Sequence, residues 1–118
     1  MSYDITLNDP VTKRVIEIEP HTIQGGTYQV GGSTEAWLNV TYNYAEHFYR
    51  LIDEQNGIRF LYGKTGAESI PILKKAIDEL KDDVSSDYWK NTEGNAKEAL
   101  KGLLYFAEIR PDGIWDGD

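Results

Sequence analysis

Alternating apolar and polar residues at the start of the chain predict β-strands. Between residues 3 and 19, two β-rich runs flank the turn signal Asn8-Asp9-Pro10. Side chains two positions apart lie on the same face of a strand, so this pattern predicts a hairpin. Pro20 has no N–H to donate to a neighbouring strand and is predicted to end the second run.

A second hairpin is predicted over residues 27–42, around the turn Gly31-Gly32-Ser33-Thr34. One face of its last strand is apolar and is expected to point inward. This leaves Trp37 on the outer face or under a helix. The inward residues are Ala36, Leu38, Val40 and Tyr42.

After residue 42 the apolar spacing changes to three and four, which predicts helices near 43–55, 67–80 and 95–109. Asn56-Gly57 is predicted to end the first helix, because these residues tolerate the left-handed conformation. The apolar run at 58–62 fits either a buried strand or one extra helical turn.

Two asparagines lie three residues before a glutamate, as in a capping box: Asn43 before Glu46, and Asn95 before Glu98. They are predicted to start the first and third helices. Gly102 lies inside the third helix, where glycine costs roughly 1 kcal/mol relative to alanine. We therefore expect an aromatic ring or a neighbouring backbone to pack closely over it.

Strands followed by helices predict an α+β fold. The expected architecture is a single domain over residues 1–118, in which a small antiparallel sheet of N-terminal hairpins packs against about three α-helices.

Composition narrows the functional classes. The chain has no cysteine and a net charge of −8, which disfavours direct binding of nucleic acid or of an anionic membrane. We find neither a signal-peptide pattern nor an apolar run of roughly 18–20 residues. We therefore expect a cytoplasmic protein.

The negative charge is concentrated between residues 78 and 118, where 11 acids and 5 bases give −6. Such a surface is either a solvated face or a patch that docks a basic partner. Asp82, Asp83 and Asp87 are the candidate partner-binding residues.

Gly63-Lys64-Thr65 matches the end of a phosphate-binding P-loop, but the glycine required five positions before Gly63 falls at Ile58. The intervening apolar residues favour burial over wrapping a phosphate. We predict a turn here and no NTPase activity, and we predict no cofactor.

The tail from Asp112 to Asp118 resembles a calcium loop only superficially, because its acids have the wrong spacing. We predict no metal site, with Trp115 packed on the body of the protein and the acids in solvent. No pattern selects a catalytic residue, so binding is favoured over catalysis, although the enzyme question stays open.

The chain has 8 Tyr, 3 Trp and 3 Phe, several of them in loops or at helix ends beside Asn and Arg. Such rings form either the core or a ligand pocket. Tyr44, Arg59, Trp89 and Asn95 are the candidate ligand-binding residues.

Three stretches, "GGTYQVGGSTEAWLNVTYNYAEHF", "GIRFLYGKTGAESIPILKKAI" and "YWKNTEGNAKEAL…RPDGIWDGD", resemble a family of short proteins encoded by bacteriophages and prophages, chiefly of Gram-positive bacteria. The resemblance covers nearly the whole chain. That family has no assigned activity, so the resemblance implies no catalytic residue. It implies a small cytoplasmic protein made in an infected or lysogenic host.

Two functions are therefore expected. The first is an accessory protein that acts without catalysis by binding a host or defence-system macromolecule, with inhibition of a defence system as one form. The alternative is a binder of a small anionic or nucleotide-like ligand in an aromatic, Asn and Arg pocket.

Overall fold

The centre of the fold is an antiparallel sheet in which the first strand lies between two others. In the computed structural model, which describes residues 1–23, 25–26, 33–87 and 89–118, the order of this sheet is β4–β1–β5. The strands are Ser2–Asn8 (β1), Trp37–Thr41 (β4) and Ile114–Gly117 (β5). Side chains of β1 alternate between the core and the outer face, as the sequence pattern predicts.

The last strand, β5, is an element that the sequence pattern did not predict. It pairs with β1 in the register Leu7↔Trp115. The ring of Trp115 is only 1% exposed, whereas Asp116 and Asp118 are exposed. The prediction that Trp115 packs on the body of the protein is therefore confirmed, and the packing is part of a strand.

The predicted first hairpin forms at its turn and then diverges. The N–H of Asp9 donates to the carbonyl of Arg14 at 2.8 Å, and the N–H of Ile16 donates to the carbonyl of Leu7 at 3.0 Å. Beyond this point Ala36 lies beside β1, and the N–H of Leu7 donates to its carbonyl at 2.9 Å. The second run therefore pairs with a different strand.

That run is β2 (Glu17–His21), which pairs antiparallel with β3 (Ser33–Glu35). The prediction that Pro20 ends the strand is wrong, because β2 continues through Pro20 to its last residue. The register shifts between the two paired positions. Such an irregularity accommodates proline, since the local ladder does not require its missing N–H.

The predicted second hairpin is described only in part. Its first strand and the first half of its turn, residues 27–32, lie outside the described residues. The second half of the predicted turn is wrong, because Ser33 and Thr34 belong to β3, where they pair with β2. In β4, Leu38 and Val40 are buried as predicted. Trp37 lies on the outer face, where its indole N–H donates to the carboxylate of Asp4.

Three α-helices lie within the described part of the chain, which confirms the α+β class. They are Ala45–Leu51 (α1), Gly66–Glu79 (α2) and Glu93–Ile109 (α3). The last two match the prediction closely. The first is shorter than predicted at both ends, because a 3₁₀ turn over Tyr42–Tyr44 precedes it and the helix already ends at Leu51.

The run after α1 forms a 3₁₀ helix, Gly57–Leu61, so the helical alternative is correct and the strand is wrong. The turn before it depends on Asp53, whose carboxylate accepts from the N–H of Asn56 at 2.8 Å. Gly57 has φ +58° and begins the 3₁₀ helix. It does not cap α1, which ends at Leu51.

One cluster of buried apolar residues includes side chains of β1, β4, β5 and all three helices named above. Gly102 faces this region with the close packing that the sequence predicts. A Cβ at Gly102 would lie closer than 3.0 Å to Cγ2 of Ile23. The neighbour is therefore an aliphatic side chain, and the predicted aromatic ring or backbone is wrong.

Candidate functional site

Residues 81–92, which we call the α2–α3 loop, join the second and third helices. The ammonium group of Lys97 bonds the carboxylate of Asp82 at 2.7 Å. The N–H of Lys81 donates to the carboxylate of Glu93 at 3.2 Å. Both contacts fix the start of the loop to the first turns of α3.

The loop backbone lies directly on the start of α3, and Gly94 permits this approach. A Cβ at Gly94 would lie 2.5 Å from the carbonyl carbon of Asp83, too close for any other residue. The carboxylate of Asp83 accepts from the N–H of Gly94 at 2.8 Å. It thereby satisfies one of the N–H groups that a helix leaves unpaired at its start.

Asn95 bridges three positions of the loop. Its amide oxygen accepts from the N–H of Ser85 at 2.9 Å, and its amide nitrogen donates to the carbonyls of Asp87 and Lys90 at 3.1 and 2.9 Å. The predicted capping box with Glu98 is wrong, because α3 begins two residues earlier with a threonine cap. Both amide donors of Asn95 are used by the loop, so this side chain positions the loop.

Asn43 and Glu46, the residues of the other predicted capping box, also form hydrogen bonds with the loop. The amide nitrogen of Asn43 donates to the carbonyl of Trp89 at 2.8 Å, and the carboxylate of Glu46 accepts from the amide of Asn91. The hydroxyl of Thr41 caps the turn before α1 instead. The capping prediction is wrong here because an Asn side chain can satisfy a loop backbone as readily as a helix start.

A cleft of about 490 Å³ opens between the α2–α3 loop, α3 and the segment that follows β2. Residues 22–23 and 84–86 line it, and α3 contributes Asn95, Glu98 and Lys101. Tyr44 also lines it. The lining therefore combines hydroxyl groups, two opposite charges and apolar carbon.

Two glycines of α3 lie where other segments approach the helix near this cleft, and Gly102 is one of its lining residues. The loop backbone lies on Gly94, and the side chain of Ile23 packs on Gly102. Eight residues of α-helix span about 12 Å, which gives the approximate distance between the two contacts. The glycines let both segments approach α3 closely, and the cleft is lined by Gly102 and by three of the residues between the two glycines.

The charges at the cleft are arranged along α3. The ammonium of Lys101 lies 3.6 Å from the carboxylate of Glu98, and these side chains are 48% and 52% exposed. Burial, together with the negative charge of Asp87, raises the pKa of Tyr44 to about 12. A second carboxylate therefore acts on the part of the cleft that Tyr44 lines.

The four predicted ligand-binding residues are placed in different regions. Tyr44 and Asn95 line the cleft. The guanidinium of Arg59 lies elsewhere, 4.8 Å from the centre of the Tyr3 ring. Trp89 lies on the α2–α3 loop and is 47% exposed. The four residues therefore do not line one cavity of the described structure.

The three predicted partner-binding acids, Asp82, Asp83 and Asp87, all lie on the α2–α3 loop and are exposed. Each also has a structural role in the protein. Asp82 and Asp83 bond Lys97 and the N–H of Gly94, and the carboxylate of Asp87 accepts from the N–H of Trp89 at 3.2 Å. The loop contains these three acids and two lysines, so its formal charge is −1. Most of the negative charge of the last third therefore lies outside this loop.

Sequence reasoning missed the residues at the cleft that come from loops, such as Thr22, Ser85 and Ser86, and it missed Lys101. The signal that pointed here was Gly102, whose unfavourable place in a helix interior indicated a close neighbour.

The segment around Gly63-Lys64-Thr65, which resembles the end of a P-loop, has structural roles in the fold. The ammonium of Lys64 lies 4.4 Å from the centre of the Phe60 ring. Thr65 and Glu68 form a capping box at the start of α2. Residues 58 and 61, which would have to wrap a phosphate, are buried in the 3₁₀ helix.

Comparison of the chain with family models, with curated proteins and with solved structures finds no match. Among the described residues, no three His, Asp or Glu side chains are grouped as a metal site would require. The described helices include none that is long and apolar enough to cross a membrane.

Proposed function

We propose that this chain is a bacteriophage- or prophage-encoded accessory protein that acts without catalysis, by binding a protein of the bacterial host or of its defence systems. The observation that carries the proposal is the exposure of Val84 and Trp89, 56% and 47%, on the α2–α3 loop. Tryptophan is among the residues that contribute most to binding energy at protein interfaces. Action in the host cytoplasm, including inhibition of a defence system, belongs to the same proposal.

The hydrogen bonds of this loop support a binding role, because side chains outside the loop hold its described backbone at three positions. Asn95 and Asn43 hold the carbonyls of residues 87, 89 and 90 by hydrogen bonds of 2.8–3.1 Å. A loop that is fixed before binding loses less conformational entropy when the partner arrives.

The relative contributions of Trp89 and the acids can be ranked by magnitude. Exposed ion pairs contribute about 0.2–1 kcal/mol, whereas truncation of a central aromatic side chain costs about 2 kcal/mol or more. Asp82 already pairs with Lys97. We therefore expect Trp89 to dominate the affinity, and Asp83 and Asp87 to add a smaller, salt-dependent part.

Two steps test this proposal. Affinity capture from lysate of a Gram-positive host identifies a bound protein, and titration calorimetry then measures its affinity as a purified pair. Trp89→Ala should weaken binding by about 30-fold, the equivalent of 2 kcal/mol. Tyr105→Ala, a change of an exposed aromatic residue on α3, is the matched control and should change the affinity by less than about twofold.

Equal binding by Trp89→Ala and the unchanged protein would overturn the role of this loop. Failure to retain any host protein would overturn the proposal as a whole. Circular dichroism of both variants checks that each keeps its fold.

A second candidate function, binding of a small molecule, is favoured by the cleft. Its volume of about 490 Å³ falls within the usual range of ligand pockets, about 300–1,000 Å³. The anionic or nucleotide-like ligand expected from Tyr44, Arg59, Trp89 and Asn95 would meet one cation on the described lining, Lys101. Native mass spectrometry of the gently purified protein should show a retained small molecule.

A further inference from the structure

Glu98 and Lys101 face the cleft with capacity for further partners. Their charged groups are 3.6 Å apart, whereas charge-assisted hydrogen bonds are usually about 2.7–2.9 Å long. The Lys97–Asp82 pair nearby, at 2.7 Å, has the shorter distance. Each side chain of the Glu98–Lys101 pair is about half exposed. The carboxylate can therefore accept, and the ammonium can donate, a closer bond to a ligand.

The remaining lining residues suit a small molecule with both polar and apolar parts. Thr22, Ser85 and Ser86 carry hydroxyl groups, which donate and accept hydrogen bonds. Ile23 and Val84 contribute apolar carbon to the same cleft. Pockets of this kind bury the apolar part of a ligand and orient it through a small number of polar groups.

A ligand of a single charge sign would be attracted by one member of the Glu98–Lys101 pair and repelled by the other. An anion would gain the ammonium of Lys101 but would lie near the carboxylate of Glu98. Burial, together with the negative charge of Asp87, raises the pKa of Tyr44, so Asp87 adds a second negative charge near the part of the cleft that this ring lines. A cation would gain the carboxylates and would be repelled by Lys101.

We propose that the cleft binds a zwitterionic, amino-acid-type molecule, with its ammonium group against Glu98 and its carboxylate against Lys101. This inference rests on the second candidate function, binding of a small ligand in the cleft. An α-amino acid carries its opposite charges on adjacent carbon atoms, and this close spacing matches the 3.6 Å between the two protein groups. Its side chain would lie along Ile23 and Val84.

A panel of matched compounds tests the charge requirement. Protein NMR is used to titrate the twenty free amino acids, inorganic phosphate and AMP. The amino acid that binds most tightly is then compared with its methyl ester, which keeps only the positive charge, and with its N-acetyl derivative, which keeps only the negative one. The zwitterion should bind at least about tenfold more tightly than either derivative, since each lacks one charged contact.

Variants then connect binding to the two residues. Glu98→Gln and Lys101→Gln should each weaken binding of the amino acid by about tenfold, because each removes one charge and keeps a similar shape. Glu108→Gln on α3 and Lys74→Gln on α2 change exposed residues of the same types and should leave the affinity unchanged.

The outcomes separate this inference from the function on which it rests. Equal or tighter binding of a single-charge derivative, phosphate or AMP would overturn the inference that the ligand is a zwitterion. The second candidate function, binding of a small molecule in the cleft, would still stand. Amino-acid binding that neither Glu98→Gln nor Lys101→Gln weakens would also overturn the inference. If no compound of the panel binds and native mass spectrometry finds no retained molecule, both the inference and the second candidate function fail.

Discussion

The indole N–H of Trp115 donates to the hydroxyl of Ser69 at 2.7 Å in the interior of the protein. The same hydroxyl donates to the carbonyl of Gly66 at 2.7 Å. One serine therefore connects the last strand to the first turn of α2, and it satisfies the polar atom of a tryptophan that is 1% exposed.

Ser69→Ala should destabilise the protein by about 1–3 kcal/mol, because it leaves the indole N–H of Trp115 buried without an acceptor. Urea unfolding followed by circular dichroism measures the change. Ser86→Ala, at an exposed position, is the control and should change stability by less than about 0.5 kcal/mol. Equal stability of the two variants would show that this hydrogen bond contributes little.

Gly102→Ala should also destabilise the protein, although alanine is the better helix former. The new Cβ would lie closer than 3.0 Å to Cγ2 of Ile23. An isoleucine side chain is branched at Cβ and adjusts its χ1 angle poorly. We expect a loss of about 1–3 kcal/mol in the free energy of unfolding, as for other overpacked sites.

The control for this prediction is a double-mutant cycle with Ile23→Ala, which removes the obstructing methyl group. In that background Gly102→Ala should become neutral or stabilise by up to about 1 kcal/mol, the difference in helix propensity. A loss that is the same in both backgrounds would mean that Ile23 is not the cause.

The parts of the fold that were predicted correctly from the sequence are those in which apolar residues recur at a regular spacing. The spacing along residues 67–80 and 95–109 reproduces α2 and α3 to within two residues. The inward face of β4 was likewise predicted, since Leu38 and Val40 are buried. Burial of one face of a helix or strand leaves a periodic signal within a single short segment.

The parts that were not predicted depend on contacts between distant residues. The pairing of Leu7 with Trp115 joins the two ends of the chain, and a four-residue strand leaves almost no pattern. Asn43 and Asn95 matched a helix-capping pattern, yet both bond the α2–α3 loop. The same side-chain chemistry serves either purpose, and only the tertiary structure determines which one.

Acid should destabilise the protein partly through Asp9. Its pKa lies below the usual value because its carboxylate accepts from the N–H groups of Thr12 and Val11 and bonds the guanidinium of Arg110. A lowered pKa stabilises the folded state above the unfolded value, about 3.9, and this contribution is lost as the pH falls through the folded value. Stability should therefore decrease as the pH falls below about 4.

Asp9→Asn tests the assignment, because the amide keeps an acceptor oxygen but carries no charge. The stability difference between the unchanged protein and this variant should be largest near neutral pH and should shrink below about pH 4. Urea unfolding over this pH range measures it, and Asp78→Asn controls for the loss of one negative charge. A difference that is constant over the whole pH range would contradict a role for the Asp9 charge.

The arrangement of the α2–α3 loop depends on Asn95, and Asn95→Ala should disrupt it. The variant loses three hydrogen bonds, to Ser85, Asp87 and Lys90. At about 0.5–1.5 kcal/mol each, their loss should destabilise the protein by about 2–4 kcal/mol. Hydrogen exchange should show faster exchange of the Ser85 N–H, while the N–H groups of the central strand β1 stay protected.

Asn95→Asp separates the roles of the oxygen and the nitrogen of this side chain. The aspartate keeps an oxygen that can accept from the N–H of Ser85, but it replaces both donors with an oxygen facing the carbonyls of Asp87 and Lys90. It should therefore be at least as destabilising as alanine at neutral pH, and urea unfolding measures this. A fully stable Asn95→Asp protein would mean that the two donated bonds do not hold the loop. Asn91→Ala, which removes one exposed side-chain contact with Glu46, should cost less than about 1 kcal/mol.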